Sequence, residues 1–183
     1  MSSVRGAEWF RRVDAVEYVW CLRMNRSCRL PAVRGLFAAV SRLGDGVFWY
    51  ALILLLPAIY GQAAVFPALR MAAVGIVGVL LYKYLKSRLV RERPYISLVG
   101  IVPGTRPLDR YSFPSGHTLH AVSLSILAVA SFPELIWLLA PFATLVAASR
   151  IVLGLHYPSD VAAGALIGAA LALLSMVLAP VAP

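Results

Sequence analysis

Apolar residues in this chain fall into long runs, without the strict alternation of a half-buried strand. The runs cover about Val47–Tyr60, Ala63–Tyr84, His117–Ser131, Leu135–Ile151 and Asp160–Leu178. A helix needs roughly 20 apolar residues to cross a bilayer, so the first run is short and is expected to extend at one or both ends. The breaks carry turn chemistry: Gly44-Asp45-Gly46, then Phe132-Pro133-Glu134, and a proline- and glycine-punctuated stretch from Tyr95 to Tyr111 that reads as a loop or lid. Upstream, Trp9, Val13, Val16 and Trp20 recur at helical spacing, with Arg11, Arg12, Asp14 and Arg23 elsewhere. That pattern predicts an amphipathic helix over about Ala7–Met24, lying in the membrane interface or against the other helices. The expected fold is all-α: a polytopic membrane helix bundle of about five transmembrane helices plus this interfacial helix.

Composition turns the pattern into a class. Hydrophobic residues make up 61% of the 183 positions and charged residues 14%, against about 45–50% and 25% in soluble domains. Mean hydropathy is +0.81. A soluble domain of this size cannot hide that much apolar surface, so an integral membrane protein is expected. With no repeat, linker or low-complexity tract, residues 1–183 read as a single domain. The net charge of +9 is placed at the ends of apolar runs, where Arg and Lys meet lipid head groups, and does not call for nucleic acid. Cys21 and Cys28 lack the spacing of a metal site or a disulfide framework. The N-terminus is basic without the apolar core and cleavage site of a signal peptide, so insertion is expected to use an uncleaved span.

Three polar islands interrupt the apolar sequence: Lys86–Pro94, Phe113–His117 and Ser149–Asp160. The second run ends at the first island and the third run begins at the second. The fourth ends, and the fifth begins, at the third. Helices that cross in alternation therefore bring all three islands to one face of the membrane. Nearly all Lys and Arg share that face, Arg70 being the main exception, which predicts a cytoplasmic island face by the positive-inside rule.

The islands hold the chemistry. Lys86, Arg93 and Arg150 are cations at span ends, suited to phosphate oxygens, although snorkelling to the interface is the commoner use of such residues. Arg88 and Arg91 are read as that commoner kind. Ser115 is a candidate helix N-cap, Gly116 permits close approach of a ligand, and His117 falls on the first turn beside any anion bound there. In the third island Gly154 breaks a helix, His156 follows, and Asp160 lies within reach of its ring. Such a carboxylate fixes the imidazole tautomer. Two histidines with three cations make a phosphoryl-transfer site: one histidine attacks phosphorus and the other protonates the leaving group. Spacing alone does not say which. No acidic cluster calls for Mg²⁺ or Ca²⁺, and no zinc spacing is present. His120, one helical step from His117, reads as interfacial or as a channel-lining residue.

K-x6-R-P at Lys86–Pro94, P-S-G-H at Pro114–His117 and S-R-x5-H-x3-D at Ser149–Asp160 resemble, in order and spacing, the three-part signature of the type 2 phosphatidic-acid phosphatase superfamily. The signature covers under half the chain and shows no departure at its defining positions. The resemblance implies that Lys86, Arg93 and Arg150 bind phosphate with help from Ser115 and Gly116, that His117 is the general acid, that His156 is the nucleophile and that Asp160 is its partner. It also implies a metal-independent, cofactor-free membrane lipid phosphatase working through a phosphohistidine, in the inner membrane of a bacterium. The substrate class would be a lipid phosphate or diphosphate: phosphatidic acid, phosphatidylglycerol phosphate, undecaprenyl diphosphate or a lipid A phosphate. A lipid phosphotransferase using the same site, with its acceptor pocket in the Tyr95–Tyr111 loop, and a non-enzymatic lipid carrier are the competing expectations.

Overall fold

Long apolar helices dominate the fold because the runs have few competing polar side chains and, in lipid, every backbone N–H and C=O must be satisfied internally. The structure, a computed structural model, describes residues 16–106 and 109–179. In chain order the helices are α1 (16–26), α2 (Pro31–Arg42), α3 (Phe48–Tyr60), α4 (Val65–Arg88), the single turn α5 (Pro94–Ser97), α6 (Gly116–Ser131), α7 (Ile136–Val152) and α8 (Pro158–Leu178). Among the described residues the only strand-like feature is an isolated bridge between Glu92 and Tyr111, which closes the base of the 95–111 loop. By length and composition, the continuous helical run Pro31–Arg88, the segment Pro133–Val152 and α8 are able to cross a membrane, while Gly116–Ser131 is shorter.

The first run does extend, and by a route the sequence reading missed. Gly44-Asp45-Gly46 is no chain reversal. It lies within a π-helical turn, Leu43–Val47, that joins α2 to α3 with a kink at Gly46 (φ 126°). Pro57 likewise stays inside α3. The reversal comes later, at the 3₁₀ turn Gly61–Ala64. Asp45 before α3 and Lys86 near the end of α4 line one cavity, so the two helices run antiparallel. Arg70, early in α4, donates to the Ala179 carbonyl just beyond α8, which puts both at the end of the bundle opposite Lys86.

A core of Trp49, Leu56, Met71, Leu124, Leu139 and Val146 joins α3, α4, α6 and α7. Outward-facing positions are apolar too, with Trp137 86%, Val177 77% and Leu54 74% exposed. Such a surface belongs in lipid, and the chain is an integral membrane protein.

Of the N-terminal helix, Trp9, Arg11, Arg12, Val13 and Asp14 lie outside the described residues. In α1 the outward face carries Val16, Val19 and Trp20, while Glu17, Cys21 and Asn25 are buried at i, i+4 and i+8. The protein-facing stripe is thus largely polar. Asn25 Nδ2 donates to the Val102 and Val152 carbonyls at 2.9 Å each, and its Oδ1 accepts from Val102 N–H at 3.0 Å. One side chain pins α1, the 95–111 loop and the end of α7 together.

The contact that fixes the site is α6 against α8. A Cβ on Gly164 would lie 2.5 Å from the Ser115 carbonyl oxygen, and one on Gly168 would overlap the carbonyl oxygen of Leu119. The backbones touch there, and Ser115 N–H donates to the Asp160 carbonyl at 3.1 Å. Gly164→Ala should therefore cost about 1–3 kcal/mol through overpacking, or a drop of several degrees in the detergent-solubilised thermal midpoint at this chain length. An unchanged midpoint would mean that the helices separate without penalty.

Candidate active site

The turn from α7 to α8 is the site's framework. The Arg150 carbonyl accepts from the N–H groups of both Leu155 and His156 at 3.0 Å, and Gly154 takes φ 70°, a conformation other residues rarely adopt. Tyr157 N–H donates to Asp160 Oδ2 at 2.9 Å, and Pro158 opens α8. These local bonds hold Arg150, His156 and Asp160 in fixed relation.

At the start of α6, Ser115 caps the helix. Its Oγ accepts from Thr118 N–H at 3.4 Å and lies 2.9 Å from Thr118 Oγ1. Ser115 is fully buried and does not line the cavity, so the structure gives its hydroxyl a capping contact rather than a direct place beside a ligand. Gly116 and His117 do line it, on the first helical turn.

Lys86, Arg93, Gly116, His117, Arg150 and His156 share one cavity of about 610 Å³. The three islands thus converge from α4, the segment after it, α6, α7 and the α7–α8 turn. Asp160 is fully buried behind His156, with Oδ2 3.5 Å from Nδ1 of the ring. On the other edge, His156 Nε2 lies 3.2 Å from Arg93 Nη1. Arginine only donates, so a hydrogen bond from Arg93 uses the Nε2 lone pair and leaves the ring proton on Nδ1, which stands 3.5 Å from Asp160 Oδ2 without a hydrogen bond to it in this geometry. Burial, with the charges of Arg93, Arg150, Lys86 and His117 around it, pushes the His156 pKa well below its usual 6.5. Neutral imidazole is the form a nucleophile needs.

Several acidic partners were missed or left without a role by the sequence reading. Asp109, in the 95–111 loop, accepts from Lys86 Nζ and Arg93 Nη2 at 2.8 Å each, and its carbonyl accepts from Arg93 Nε at 2.8 Å. Although burial works to raise it, these bonds from Lys86 and Arg93 hold the Asp109 carboxyl below the usual range. Asp45 Oδ1 lies 3.2 Å from His117 Nε2. An acid inside an apolar run is a functional signal, but flanking glycines made it look like a turn. Arg150, 4% exposed, donates to Ser41 Oγ, drawing α2 to the site.

One reading changes and one is narrowed. Arg91 does not snorkel; it is 2% exposed and paired with Asp160 and Glu17. His120 takes the channel-lining alternative: it lines the cavity, with Nδ1 2.8 Å from the Gly116 carbonyl and Nε2 3.1 Å from that of Gly75, tying α6 to α4. Both followed from tertiary contacts that no local spacing reveals.

Away from the cations the cavity continues between α3 and α4, along Trp49, Ile53, Leu54, Met71 and Ile76. A cationic cradle with two histidines therefore opens onto an apolar groove. The class defined by fold and site is a helical membrane protein whose cationic, two-histidine pocket continues as an apolar groove. The PAP2 superfamily model matches residues 63–182, and the chain belongs to that family. It is 39% identical over 72 residues to an undecaprenyl-diphosphatase of Sulfolobus acidocaldarius (39% of this chain, 34% of the relative). It is 35% identical over 105 residues to the bacitracin transport permease protein BcrC of Bacillus licheniformis (57% and 52%). It is 39% identical over 80 residues to a lipid A 4′-phosphatase of Bacteroides thetaiotaomicron (42% and 35%). The chain spans about a third to a half of the length of these relatives. Among solved structures, Aquifex aeolicus LpxE superposes with TM-score 0.76 at 24% identity, covering 88% of this chain and 94% of that one. A PAP2-type phosphatidylglycerolphosphate phosphatase from Bacillus subtilis superposes at 0.71 and 24%, covering 97% and 96%. These two likenesses establish a shared fold.

A depressed histidine pKa has a sign for stability. Below pH 6.5 the unfolded chain binds a proton at His156 that the folded chain refuses, so stability falls as pH drops, by up to about 1.4 kcal/mol per pH unit. The thermal midpoint should decline from pH 6.5 to 5, and His156→Asn should flatten that decline. Equal slopes for the two proteins would contradict a buried neutral imidazole.

Proposed function

We propose that the chain is an integral membrane lipid phosphatase that hydrolyses a lipid phosphate or diphosphate through a phosphohistidine. The observation that carries the reading is His156 Nε2, 3.2 Å from Arg93 Nη1, lining with Lys86, Arg93 and Arg150 a cavity that runs on as an apolar groove. A phosphate between Lys86, Arg93 and Arg150 would replace Asp109 as the counter-charge of Lys86 and Arg93, with the tail along α3 and α4. His156 Nε2 attacks phosphorus in line, forming the N–P bond as the P–O bond to the lipid breaks, while Asp160 supports the Nδ1–H. His117 protonates the leaving oxygen, a role that contributes about 10²–10⁴-fold in general. Asp45 sits where it can orient His117 for that step. Water then attacks the phosphohistidine with His117 as base, releasing inorganic phosphate. The cations stabilise the equatorial oxygens throughout.

A phosphotransferase is the second reading. A smaller cavity of about 200 Å³, lined by Ser41, Arg42, Thr105 and Arg106, shares His117 and Arg150 with the main one. An acceptor lipid's polar head in that space would receive the phosphoryl group in place of water, and mass spectrometry of products from mixed lipids separates the two outcomes. For orientation, the clustering of Arg and Lys at the site's end of the bundle supports a cytoplasmic-facing site in a bacterial inner membrane.

Purified protein with EDTA should release phosphate from at least one of phosphatidic acid, phosphatidylglycerol phosphate, undecaprenyl diphosphate and a lipid A phosphate. Vanadate should inhibit it, and His156→Ala should lose on the order of 10³-fold or more. Substantial release by that variant removes His156 as nucleophile. Topology is read separately. Arg110, 68% exposed on the site's side, replaced as Arg110→Cys in a chain lacking Cys21 and Cys28, should react with an impermeant maleimide only after lysis. Labelling of intact cells would turn the site outward.

A further inference from the structure

Behind His156 lies a charge network that the phosphate cradle does not use. Arg91 Nη1 donates to Asp160 Oδ1 at 2.5 Å and to Ser159 Oγ at 2.7 Å, and its Nη2 donates to Glu17 Oε2 at 2.7 Å. Its guanidinium carbon stands 3.8 Å from the centre of the Tyr157 ring. Glu17 in turn accepts from Ser159 N–H at 2.5 Å through Oε1 and from Ser159 Oγ at 2.7 Å through Oε2. Glu17, Arg91 and Asp160 are all buried. The first residue belongs to α1, the second to the segment after α4 and the third to α8.

From this geometry we infer that Arg91, anchored by Glu17, is a positioning residue for His156, acting through Asp160. A buried carboxylate needs a cation, and removing one member of such a pair leaves an uncompensated charge. Arg91 supplies that cation on Oδ1, leaving Oδ2 to accept from the Tyr157 N–H and to face His156 Nδ1 at 3.5 Å. A guanidinium is a rigid fork. Held by Glu17 on one arm and by the Tyr157 face beneath, it fixes the rotation of the Asp160 carboxylate. That rotation selects the His156 tautomer with its proton on Nδ1 and its lone pair on Nε2. Glu17 makes α1 part of this support. It also ties the first turn of α8 to α1, because Oε1 takes a helix-start N–H that has no partner within its own helix. Arg91 and Glu17 touch neither the cavity nor a substrate within it.

The inference rests on the phosphatase reading for its rate and on the histidine itself for its second readout. Arg91→Gln should lower kcat about 10- to 100-fold with KM within threefold, less than the roughly 10⁴-fold seen when an orienting carboxylate is itself replaced. Arg91→Lys should recover part of the loss. In protein labelled with ¹⁵N-histidine, the chain's three imidazoles are separable by a His156→Asn reference. Wild-type His156 should report the Nδ1–H tautomer, and Arg91→Gln a mixture. Glu17→Gln, which aims an amide N–H at Arg91, should shift both readouts the same way by less, and it decides the matter if Arg91→Gln does not fold. A wild-type kcat, or an unchanged tautomer in a variant that has lost activity, overturns the inference. If the wild type hydrolyses no lipid phosphate, the phosphatase reading fails and the tautomer alone decides this one.

Discussion

Concentrating positive charge inside an apolar bundle is the constraint on which the architecture depends. Lys86, Arg93 and Arg150 face one cavity, and charges brought so close in a poorly screened interior repel strongly. The fold answers with acceptors from different elements. Asp109 bridges Lys86 and Arg93, the Leu155 carbonyl takes a further Arg93 N–H at 2.8 Å, and Ser41 takes Arg150. Each acceptor draws a loop or helix toward the cavity. The site is therefore also the place where α2, the 95–111 loop and the α7–α8 turn are fastened together.

The same constraint is what makes a phosphate the proposed ligand. A bound dianion would take over the contacts that Asp109 makes with Lys86 and Arg93, exchanging one counter-charge for another without first creating an unpaired cluster. The apolar groove between α3 and α4 is continuous with the cationic end of the cavity, so under the proposed function head group and tail would be held in one space.

Negative charge is distributed as economically as positive charge. The acidic side chains near the site each face a defined partner: Asp45 faces His117, Asp109 faces Lys86 and Arg93, Asp160 faces His156 and Arg91, and Glu17 faces Arg91. Two concentric layers result. The inner one lines the cavity with Lys86, Arg93, His117, Arg150 and His156, and the outer one stands against it through Asp45, Asp109, Asp160, Arg91 and Glu17. The outer layer includes a helix, α1, that sequence alone leaves either in the membrane interface or against the other helices, and that here packs on the site through Glu17.

The apolar runs and the islands were legible in the sequence because hydropathy and motif spacing are local properties. Run lengths required helices in lipid, and connectivity required Lys86, Arg93, His117, Arg150 and His156 to meet at one end. What stayed hidden was contact between residues far apart in the chain. Gly44-Asp45-Gly46 has the composition of a turn, and only packing of α2 and α3 against α7 makes it a kink that delivers Asp45 to His117. Arg91 has the spacing of an interfacial arginine, and only the approach of α1 and α8 buries it. Sequence by itself determined the class of scaffold and the inner ring of cationic and histidine groups, since those follow from hydrophobicity and from the order of elements. Tertiary structure decided which carboxylate serves which cation, because a buried charge takes its partner from whatever the fold brings within hydrogen-bonding distance.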